Sequence, residues 1–276
     1  MRVTDPAFQE KLTVTPRLLN GKFFALDQKE VDNYDVSNEK GINILKNFLK
    51  RFPGFYEFLH VFVSPGFSCN RHYTAKKAVR FFYGTEDLKD VCVLNLGSGI
   101  KRIHPEIVQV DIYPLGEVDL VADARALPFK DGTVDMVICE TVLEHVGNAQ
   151  EVIKEIKRVL KPGGYIYISV PFVYPFHASP DDFHRWSIPG LKMEFEGFSV
   201  AKSGMCAGPA AALQAMLMHF CALPLSFGSY VLYHAWSIFF MFLFAPLKLF
   251  DFLWGEIPNA SDIGSIVYIM AAKGNL

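Results

Sequence analysis

The chain has 276 residues, of which 51% are hydrophobic and 14% aromatic, and its formal net charge is −2. A chain this long and this apolar can bury a full core, which excludes global disorder. The near-zero net charge argues against a large basic face, so we expect no nucleic-acid partner.

Cysteine usage and the first residues favour a cytosolic domain. No cysteines form a Cys-x-x-Cys pair, and two lie in apolar runs, which predicts buried free thiols rather than a zinc site or a disulfide framework. The five are Cys69, Cys92, Cys139, Cys206 and Cys221. Met1-Arg-Val-Thr-Asp5 contains no apolar stretch, so we expect no secretory signal.

Short apolar runs alternate with helical patterns from about residue 90 to 200, which is typical of a parallel sheet with crossover helices. We predict strands over residues 91–96, 107–110, 118–122, 134–139 and 165–170, because these runs are β-branched and nearly continuously apolar. We predict helices over residues 73–82 and 148–160. Asn148 and Glu151 suggest a capping box at the start of the second, and Lys161-Pro-Gly-Gly164 ends it.

A glycine pair follows the first predicted strand of the sheet. The sequence there is Asn95-Leu-Gly97-Ser-Gly99, and Asp111 ends the next strand. In nucleotide-binding folds, glycines let the backbone approach the ligand and a carboxylate in this position accepts two ribose hydroxyls. The pair alone is equally typical of a tight turn.

The segments downstream carry the identification. They are Asp123-Ala124, Ala126-Leu-Pro-Phe129, Asp131-Gly132, Val134-Asp135, Val142-Leu-Glu-His145 and Glu155-Ile-Lys-Arg-Val-Leu-Lys-Pro-Gly-Gly164. In this order and spacing they resemble the class I S-adenosylmethionine-dependent methyltransferase family (methyltransferase type 11-like) over roughly residues 85–205. The resemblance implies an α/β, Rossmann-like fold with a mostly parallel seven-stranded sheet, and S-adenosyl-L-methionine as the cofactor.

The resemblance also implies roles for individual residues. Gly97 and Gly99 approach the methionine and ribose portion, Asp111 holds the ribose hydroxyls, and Glu140 lines the methionine end. The full implied cofactor set is Asn95, Gly97, Ser98, Gly99, Asp111, Ile112, Asp123, Ala124 and Glu140. For Asp123 and Asp135 the alternative is the capping of a turn or helix, which we favour for Asp135.

Two positions depart from the family pattern. The family usually has an acid at the position of Asn95 and a third glycine at that of Lys101. Only residues 100–106, with Pro105 among them, separate the glycine turn from the next strand, which is too short for a crossover helix. The third glycine serves helix–strand packing, so its loss fits a missing helix. The departures leave open a catalytically silent protein that binds the cofactor.

Residues 171–186 follow the fifth predicted strand, where ligands lie in open α/β sheets. This segment brings together His177, Asp182 and Arg185, and His145 lies at the start of a helix. Transfer to an alcohol or phenol needs a base near the acceptor oxygen, and these four residues are the candidate catalytic set. The alternative is that these residues have structural roles. His177 and Asp182 would cap turns in a proline-rich loop, and Arg185 would pair with an acid. His145 would be a structural histidine whose nitrogens are hydrogen-bonded within the protein.

Glu144-His145 also resembles the Glu-x-x-Glu-His metal cluster of ubiquinone-pathway and small-RNA O-methyltransferases. Thr141 occupies the position three residues before Glu144, and Glu140 lies one residue further back. This spacing breaks the ligand pattern, so we expect no metal.

Between Lys202 and Lys248 the chain contains no Asp, Glu, Lys or Arg. The resemblance to class I methyltransferases implies that residues 198–203 and 263–271 pair as an antiparallel hairpin that closes the sheet. The segment between them must then leave and return on one side of any membrane. It could form a re-entrant helical hairpin, cross twice or lie in the interface. The alternative is a dimer interface or a lid over the sheet.

The predicted organisation is a helical or irregular cap (1–84), a methyltransferase domain (85–203 and 262–276) and a hydrophobic helical insertion (204–261). We expect O-methylation of a small-molecule or lipid-linked acceptor, such as a glycan, lipid or quinone, at the cytoplasmic face of a membrane. If the insertion is an interface, the protein is cytoplasmic. The loop motifs also resemble uncharacterised bacterial methyltransferases associated with surface polysaccharide synthesis. A membrane-anchored scaffold is a further alternative, and the oligomeric state stays open.

Overall fold

The computed structural model describes residues 3–19, 21–26, 63–66, 74–85, 87–100, 102–177, 181–254 and 257–274. Cys69, Tyr73 and Lys101, which the sequence analysis singled out, lie outside these ranges, as does most of the cap region. The strands are β1 (Arg17–Leu19), β2 (Lys22–Phe24), β3 (Val93–Leu96), β4 (Val108–Asp111), β5 (Leu120–Val121), β6 (Val134–Glu140), β7 (Leu160–Pro171), β8 (Phe198–Ala207) and β9 (Ile266–Lys273). The helices are α1 (Pro6–Gln9), α2 (Ala75–Tyr83), α3 (Ala149–Val159), α4 (Ile188–Glu194), α5 (Pro209–Leu225), α6 (Tyr230–Phe244) and α7 (Asp251–Trp254).

All nine strands belong to one mixed sheet in the order β1-β2-β5-β4-β3-β6-β7-β9-β8. Strands β2 to β7 pair in parallel, whereas β9 is antiparallel to both β7 and β8. The order reverses next to β3, which is where doubly wound sheets bind ligands. The α/β, Rossmann-like fold is therefore confirmed, and so is the antiparallel closing hairpin.

The described sheet has nine strands, whereas seven were expected. The two additional strands come from the N-terminal region: β1 and β2 form a hairpin around Gly21, whose φ is 77°, and β2 pairs with β5. Each strand has only three residues, which is too short to show the apolar run that marks a buried strand. Every residue of β1 is also exposed. The cap region thus adds an edge to the sheet.

Helices cover both faces of the sheet. On one face, α3 buries Val152, Ile156 and Val159 in the main core. On the other, α2 packs against β6 and β7; it begins at Thr74, whose hydroxyl accepts the Lys77 N–H at 3.4 Å. Both helices therefore occur within two residues of their predicted bounds.

The predicted capping box at the start of α3 is wrong. Asn148 makes no side-chain bond to the helix backbone, and its amide instead donates to Glu151 Oε1 at 2.9 Å. The two side chains satisfy each other because Asn148 has backbone dihedrals (φ −110°, ψ 75°) outside the extended region usual for an N-cap.

One edge of the sheet, here called the carboxyl edge, is where the parallel strands end. Strand β8 also ends there, because Ala207 of β8 and Pro171 of β7 both pair with Ile266 of β9. The helical insertion starts directly after Ala207. It therefore leaves the sheet from the same edge that carries the glycine turn after β3 and the loop after β7.

The insertion is a helical hairpin. Helices α5 and α6 pack against each other and are joined by residues 226–229. The segment Tyr230–Trp254, which comprises α6, a 3₁₀ turn (Ala245–Phe250) and α7, is apolar enough by length and composition to cross a membrane, with a mean hydropathy of 1.6 over its most apolar window.

Buried polar contacts attach the base of this hairpin to the rest of the protein. The carboxylate of Asp251 accepts the N–H groups of Ala210 (2.8 Å) and Ala211 (3.1 Å), which caps the start of α5. Lys248 Nζ donates to the carbonyl of Ser64 at 2.6 Å. Because both charged side chains are fully buried, the end of the hairpin next to the sheet is part of the protein interior.

Candidate functional site

The glycine turn after β3 has the backbone that both glycines require. Gly97 and Gly99 have φ values of 63° and 60°, in the left-handed region that side chains disfavour. A Cβ on Gly97 would lie 2.2 Å from Cγ2 of Val142, whereas one on Gly99 would meet open space. The absence of a side chain at Gly97 therefore leaves room for Val142, which follows β6. The absence of one at Gly99 leaves its backbone accessible to a ligand.

Asp111 lies at the end of β4 and faces this turn. Its Oδ2 accepts the Gly99 N–H at 2.8 Å, and its Oδ1 accepts the Tyr113 N–H at 3.0 Å across Ile112. Each carboxylate oxygen retains a free lone pair, so the group can also accept two hydroxyls. Ser98 Oγ is buried and has no hydrogen-bond partner among the described residues. The Ser98 hydroxyl, the accessible backbone of Gly99 and the Asp111 carboxylate therefore lie in the same turn region.

Asn95 is placed differently from the other cofactor candidates. Its amide is buried and donates to Gln109 Oε1 at 2.8 Å, between the paired strands β3 and β4. Gln109 in turn donates to the carbonyl of Ile107 at 3.0 Å. The neutral amide fits this position because a neighbouring strand supplies a neutral acceptor.

Asp123 and Ala124 follow β5 on the adenine side of the expected site. The carboxylate of Asp123 is engaged by Arg125, which donates to it at distances from 2.6 to 3.1 Å, and it also accepts the Arg125 N–H at 2.8 Å. Asp123 therefore caps a turn, which is the structural alternative to adenine binding that the sequence left open. Asp135 has structural contacts but does not cap a turn or helix: it lies within β6, accepts the Cys92 N–H at 2.8 Å and pairs with Lys161 at 2.5 Å.

Glu140 ends β6 at the carboxyl edge, next to a strained residue. Thr141 has a φ of 51°, and its hydroxyl donates to the Glu140 carbonyl at 2.8 Å. Positive φ in a β-branched residue costs of order 1–3 kcal/mol and occurs most often at functional sites. The chain then continues through Val142 into a 3₁₀ turn, Leu143–His145.

The four candidate catalytic residues do come together. His145 and His177 lie with ring centroids 4.9 Å apart, and Nδ1 of His177 is 3.1 Å from Oδ2 of Asp182. Arg185 pairs with both oxygens of Asp182, at 2.6 Å on Oδ2. This ion pair lowers the pKa of Asp182 to about 2, so the carboxylate is ionised.

Arg185 organises the loop as well as pairing with Asp182. Its guanidinium donates to the carbonyls of Tyr174 (3.2 Å), Pro175 (3.0 Å) and His184 (2.8 Å). These contacts use the donors of its planar fork, so its role is to position the loop after β7.

Glu144 is a member of this cluster that was not among the predicted site residues. It is fully buried, and its Oε1 lies 3.7 Å from Nε2 of His145 and 3.8 Å from Nε2 of His177. Burial raises its pKa to about 8. Its position beside His145 was visible in the sequence, but its burial depends on residues distant in the chain.

Partial burial and the neighbouring His145 lower the pKa of the His177 imidazole. Beside it, Phe176, Phe183 and His184 line an open depression of ≈ 410 Å³, in which both phenylalanines are more than half exposed. The depression therefore offers apolar surface next to the polar cluster.

Part of the chain is similar to known methyltransferases. Residues 100–168 match the model of the methyltransferase domain family. A 2-phytyl-1,4-naphtoquinone methyltransferase of Synechocystis is 40% identical over 72 residues, which cover 26% of this chain and 30% of that protein. A ubiquinone/menaquinone biosynthesis C-methyltransferase of Klebsiella pneumoniae is 33% identical over 94 residues, covering 33% and 36%.

Among solved structures, a Haemonchus contortus phosphoethanolamine N-methyltransferase in complex with S-adenosyl-L-methionine has a TM-score of 0.45 and 16% identity. That match covers 83% of this chain and 60% of the other. The curated relatives are matched over less than half of their own length. The family match begins one residue after Gly99 and ends within β7, so it includes Asp111, Asp123 and Glu140 but neither the glycine turn nor the loop after β7. Over residues 100–168 the chain therefore carries a segment of the methyltransferase domain family.

Proposed function

We propose that the protein is an S-adenosylmethionine-dependent methyltransferase that works at a membrane surface, on the cytoplasmic side, and methylates an oxygen of a lipid-linked or lipid-like acceptor. The observation that carries this proposal is the shared carboxyl edge. The glycine turn, the His–carboxylate cluster and the start of the apolar hairpin all lie there.

The cofactor part of the proposal rests on the fit of the glycine turn. Asp111 is available for the ribose hydroxyls, Ser98 offers a hydroxyl without a partner, and Gly99 leaves space at its Cα. When bound, S-adenosylmethionine supplies an activated methyl group. The protein's own contribution is to hold the acceptor beside Glu144 and His177 and to exclude bulk water from the buried side.

Strand spacing supports proximity between the hairpin and the acceptor loop. Neighbouring strands lie about 4.8 Å apart, so the end of β8 is roughly 10 Å from the end of β7, with β9 between them. An acceptor anchored in a bilayer beside the hairpin therefore reaches the loop after β7 with a short polar head group.

The dimensions of the hairpin favour insertion into one leaflet. Helix α6 has 15 residues and α5 has 17, which correspond to about 22 and 25 Å, short of the roughly 30 Å of hydrocarbon. The longer span that ends at Trp254 includes the buried Asp251, whose contacts keep it in the protein. These lengths support a re-entrant hairpin over two full crossings.

Several of the most exposed large apolar side chains among the described residues lie at the free end of the hairpin. Phe227, Tyr230 and Val231 are 86%, 78% and 75% exposed. Burying a large apolar side chain in hydrocarbon stabilises by about 1.5–3 kcal/mol, so three of them support reversible membrane attachment. The named quinone methyltransferases are compatible with a lipid-like acceptor.

Vesicle flotation tests the membrane part. Wild type is expected to float with vesicles of phosphatidylethanolamine and phosphatidylglycerol, and Phe227→Asp is expected to weaken this binding about 100-fold, since each 1.4 kcal/mol is tenfold. Leu18→Asp is the matched control, because Leu18 is 62% exposed but lies on β1 at the opposite end of the sheet. A wild-type protein that stays with the soluble fraction refutes membrane attachment.

Methyl transfer itself is tested with methyl-labelled S-adenosylmethionine and membrane extracts. Label is expected in the organic-phase extract and to be absent with Asp111→Ala. Label that enters only water-soluble products contradicts the lipid-like acceptor. If calorimetry detects no binding of either S-adenosylmethionine or its demethylated product, the methyltransferase proposal fails.

A further inference from the structure

Three side chains converge at the carboxyl edge with their donor atoms facing one another. Glu144 and His145 belong to the 3₁₀ turn after β6, and His177 belongs to the loop after β7. One donor atom from each lies within 4.8 Å of the other two, and the carboxylate is 3.7 and 3.8 Å from the two Nε2 atoms. These separations exceed hydrogen-bond distances, so the three atoms surround a gap.

Glu144 lacks a partner for its charge. Both of its carboxylate oxygens are buried and make no hydrogen bond among the residues that the structure describes. A buried carboxylate without compensation costs several kcal/mol, and its own uptake of a proton or the arrival of a cation relieves that cost. The two neighbouring imidazoles lie 3.7 and 3.8 Å from Oε1, beyond hydrogen-bond distance.

The outer nitrogen of each imidazole faces an oxygen atom. Nδ1 of His145 lies 2.6 Å from the carbonyl oxygen of Asp181, which can only accept, so Nδ1 carries the proton and Nε2 has a lone pair. Nδ1 of His177 lies 3.1 Å from Oδ2 of Asp182 without hydrogen-bond geometry, so a small rotation of the ring would give it the same kind of support. Metal-binding histidines are held in this way by a carbonyl or a carboxylate behind the ring.

We propose that Glu144, His145 and His177 bind a divalent transition-metal ion through one carboxylate oxygen and two Nε2 atoms. Tetrahedral zinc, with ligands at about 2.0–2.1 Å, places its donor atoms roughly 3.3 Å apart, so the two carboxylate–imidazole separations need to shorten by only about 0.5 Å. Two imidazoles favour zinc or a similar ion over magnesium, which prefers oxygen ligands.

The expectation that no metal binds was based only on the residues that precede His145 in the chain. Thr141 interrupts the Glu-x-x-Glu-His pattern, and His177 supplies, from the far side of β7, the third ligand that the pattern lacks. Two histidines and one carboxylate leave at least one coordination position open. Binding of an acceptor oxygen at that position rests on the proposed function, whereas metal binding itself does not.

Metal titration of the full chain, stripped with chelator and without S-adenosylmethionine, tests the proposal. Calorimetry is expected to show about one Zn²⁺ per chain, and Co²⁺ is expected to give the intense visible absorption of a tetrahedral site. Glu144→Gln and His177→Ala are each expected to lower Zn²⁺ affinity by about 100-fold or more, since loss of an outer-shell partner alone costs about 10–100-fold.

His184→Ala is the matched control. His184 belongs to the same loop, and its Nε2 lies 3.2 Å from the Gly147 carbonyl, so this variant is expected to retain wild-type affinity. Asp182→Asn is expected to lower affinity by about 10–100-fold, as a positioning residue should. Circular dichroism melting verifies that each variant is folded.

Three results overturn the proposal. One is a wild-type chain that binds neither Zn²⁺ nor Co²⁺. Another is wild-type affinity in folded Glu144→Gln and His177→Ala. The third is a thiolate charge-transfer band with Co²⁺, which places the ion on one of the free cysteines. Because S-adenosylmethionine is omitted, a failure here leaves the methyltransferase proposal untouched, and failure of cofactor binding leaves the metal site untouched.

Discussion

Gly97 is the position where the glycine turn meets the chain that leads to the acceptor side. An added Cβ would lie 2.2 Å from Cγ2 and 3.2 Å from Cβ of Val142, which is closer than any packed contact allows. Valine is stiff about χ1, so its side chain cannot rotate clear without strain. Gly97→Ala should therefore force apart the turn after β3 and the segment after β6.

The cost has two parts that the structure separates. Left-handed backbone costs an alanine about 1–2 kcal/mol at either glycine of the turn. Overpacking adds about 1–3 kcal/mol, and only at Gly97, because a Cβ on Gly99 has no neighbour within 4 Å. Gly97→Ala is thus expected to lower the free energy of unfolding by about 2–5 kcal/mol, and Gly99→Ala by about 1–2 kcal/mol.

Urea denaturation of four variants measures the two parts. These are Gly97→Ala, Gly99→Ala, Val142→Ala and the double variant Gly97→Ala/Val142→Ala. In the Val142→Ala background, the cost of Gly97→Ala should fall by about 1–3 kcal/mol, because the clashing methyl groups are gone. Equal costs for the two glycine variants, or an unchanged cost in the second background, would refute the steric reasoning.

Three further outcomes are expected. Asp111→Ala should abolish S-adenosylmethionine binding in calorimetry, and unchanged affinity would contradict the ribose assignment. In metal-free protein, burial raises the pKa of Glu144 from 4.5 to about 8, so the native state holds an extra proton between these values. Its contribution to stability is complete below pH 4.5 and should fall by up to about 1.4 kcal/mol per pH unit until pH 8; urea unfolding of Glu144→Gln should lack this slope. Asp251→Ala leaves two buried N–H groups at the start of α5 without acceptors, so urea unfolding should show a loss of about 1–3 kcal/mol for each, and no loss would exclude the cap.

The central strands could be predicted because their signal is local. Residues 134–139 and 165–170 are apolar at nearly every position, as strands buried on both faces must be, and they lie within β6 and β7. The closing antiparallel hairpin was implied by the resemblance to class I methyltransferases, and β8 and β9 pair in this way. The short link from Gly99 to β4 also showed in advance that no crossover helix fits there.

Features set by pairing across the chain were missed. Strands β1 and β2 are stabilised by pairing with each other and with β5, and three exposed residues carry no strand signal of their own. The capping box failed for a similar reason: the pattern Asn148–Glu151 specifies compatible residues, but the backbone entering α3 decides which atoms they meet.

The candidate site shows the same division. The sequence by itself determined the fold class, the glycine turn and the apolar insertion, because each depends on a local pattern of residue types, while the ribose role of Asp111 stays a prediction. Only the tertiary structure decided that Glu144 is buried without a hydrogen bond among the described residues and that His177, in the loop after β7, lies 3.8 Å from it. Burial and distance between remote residues depend on how strands stack side by side, and no spacing along the chain encodes them.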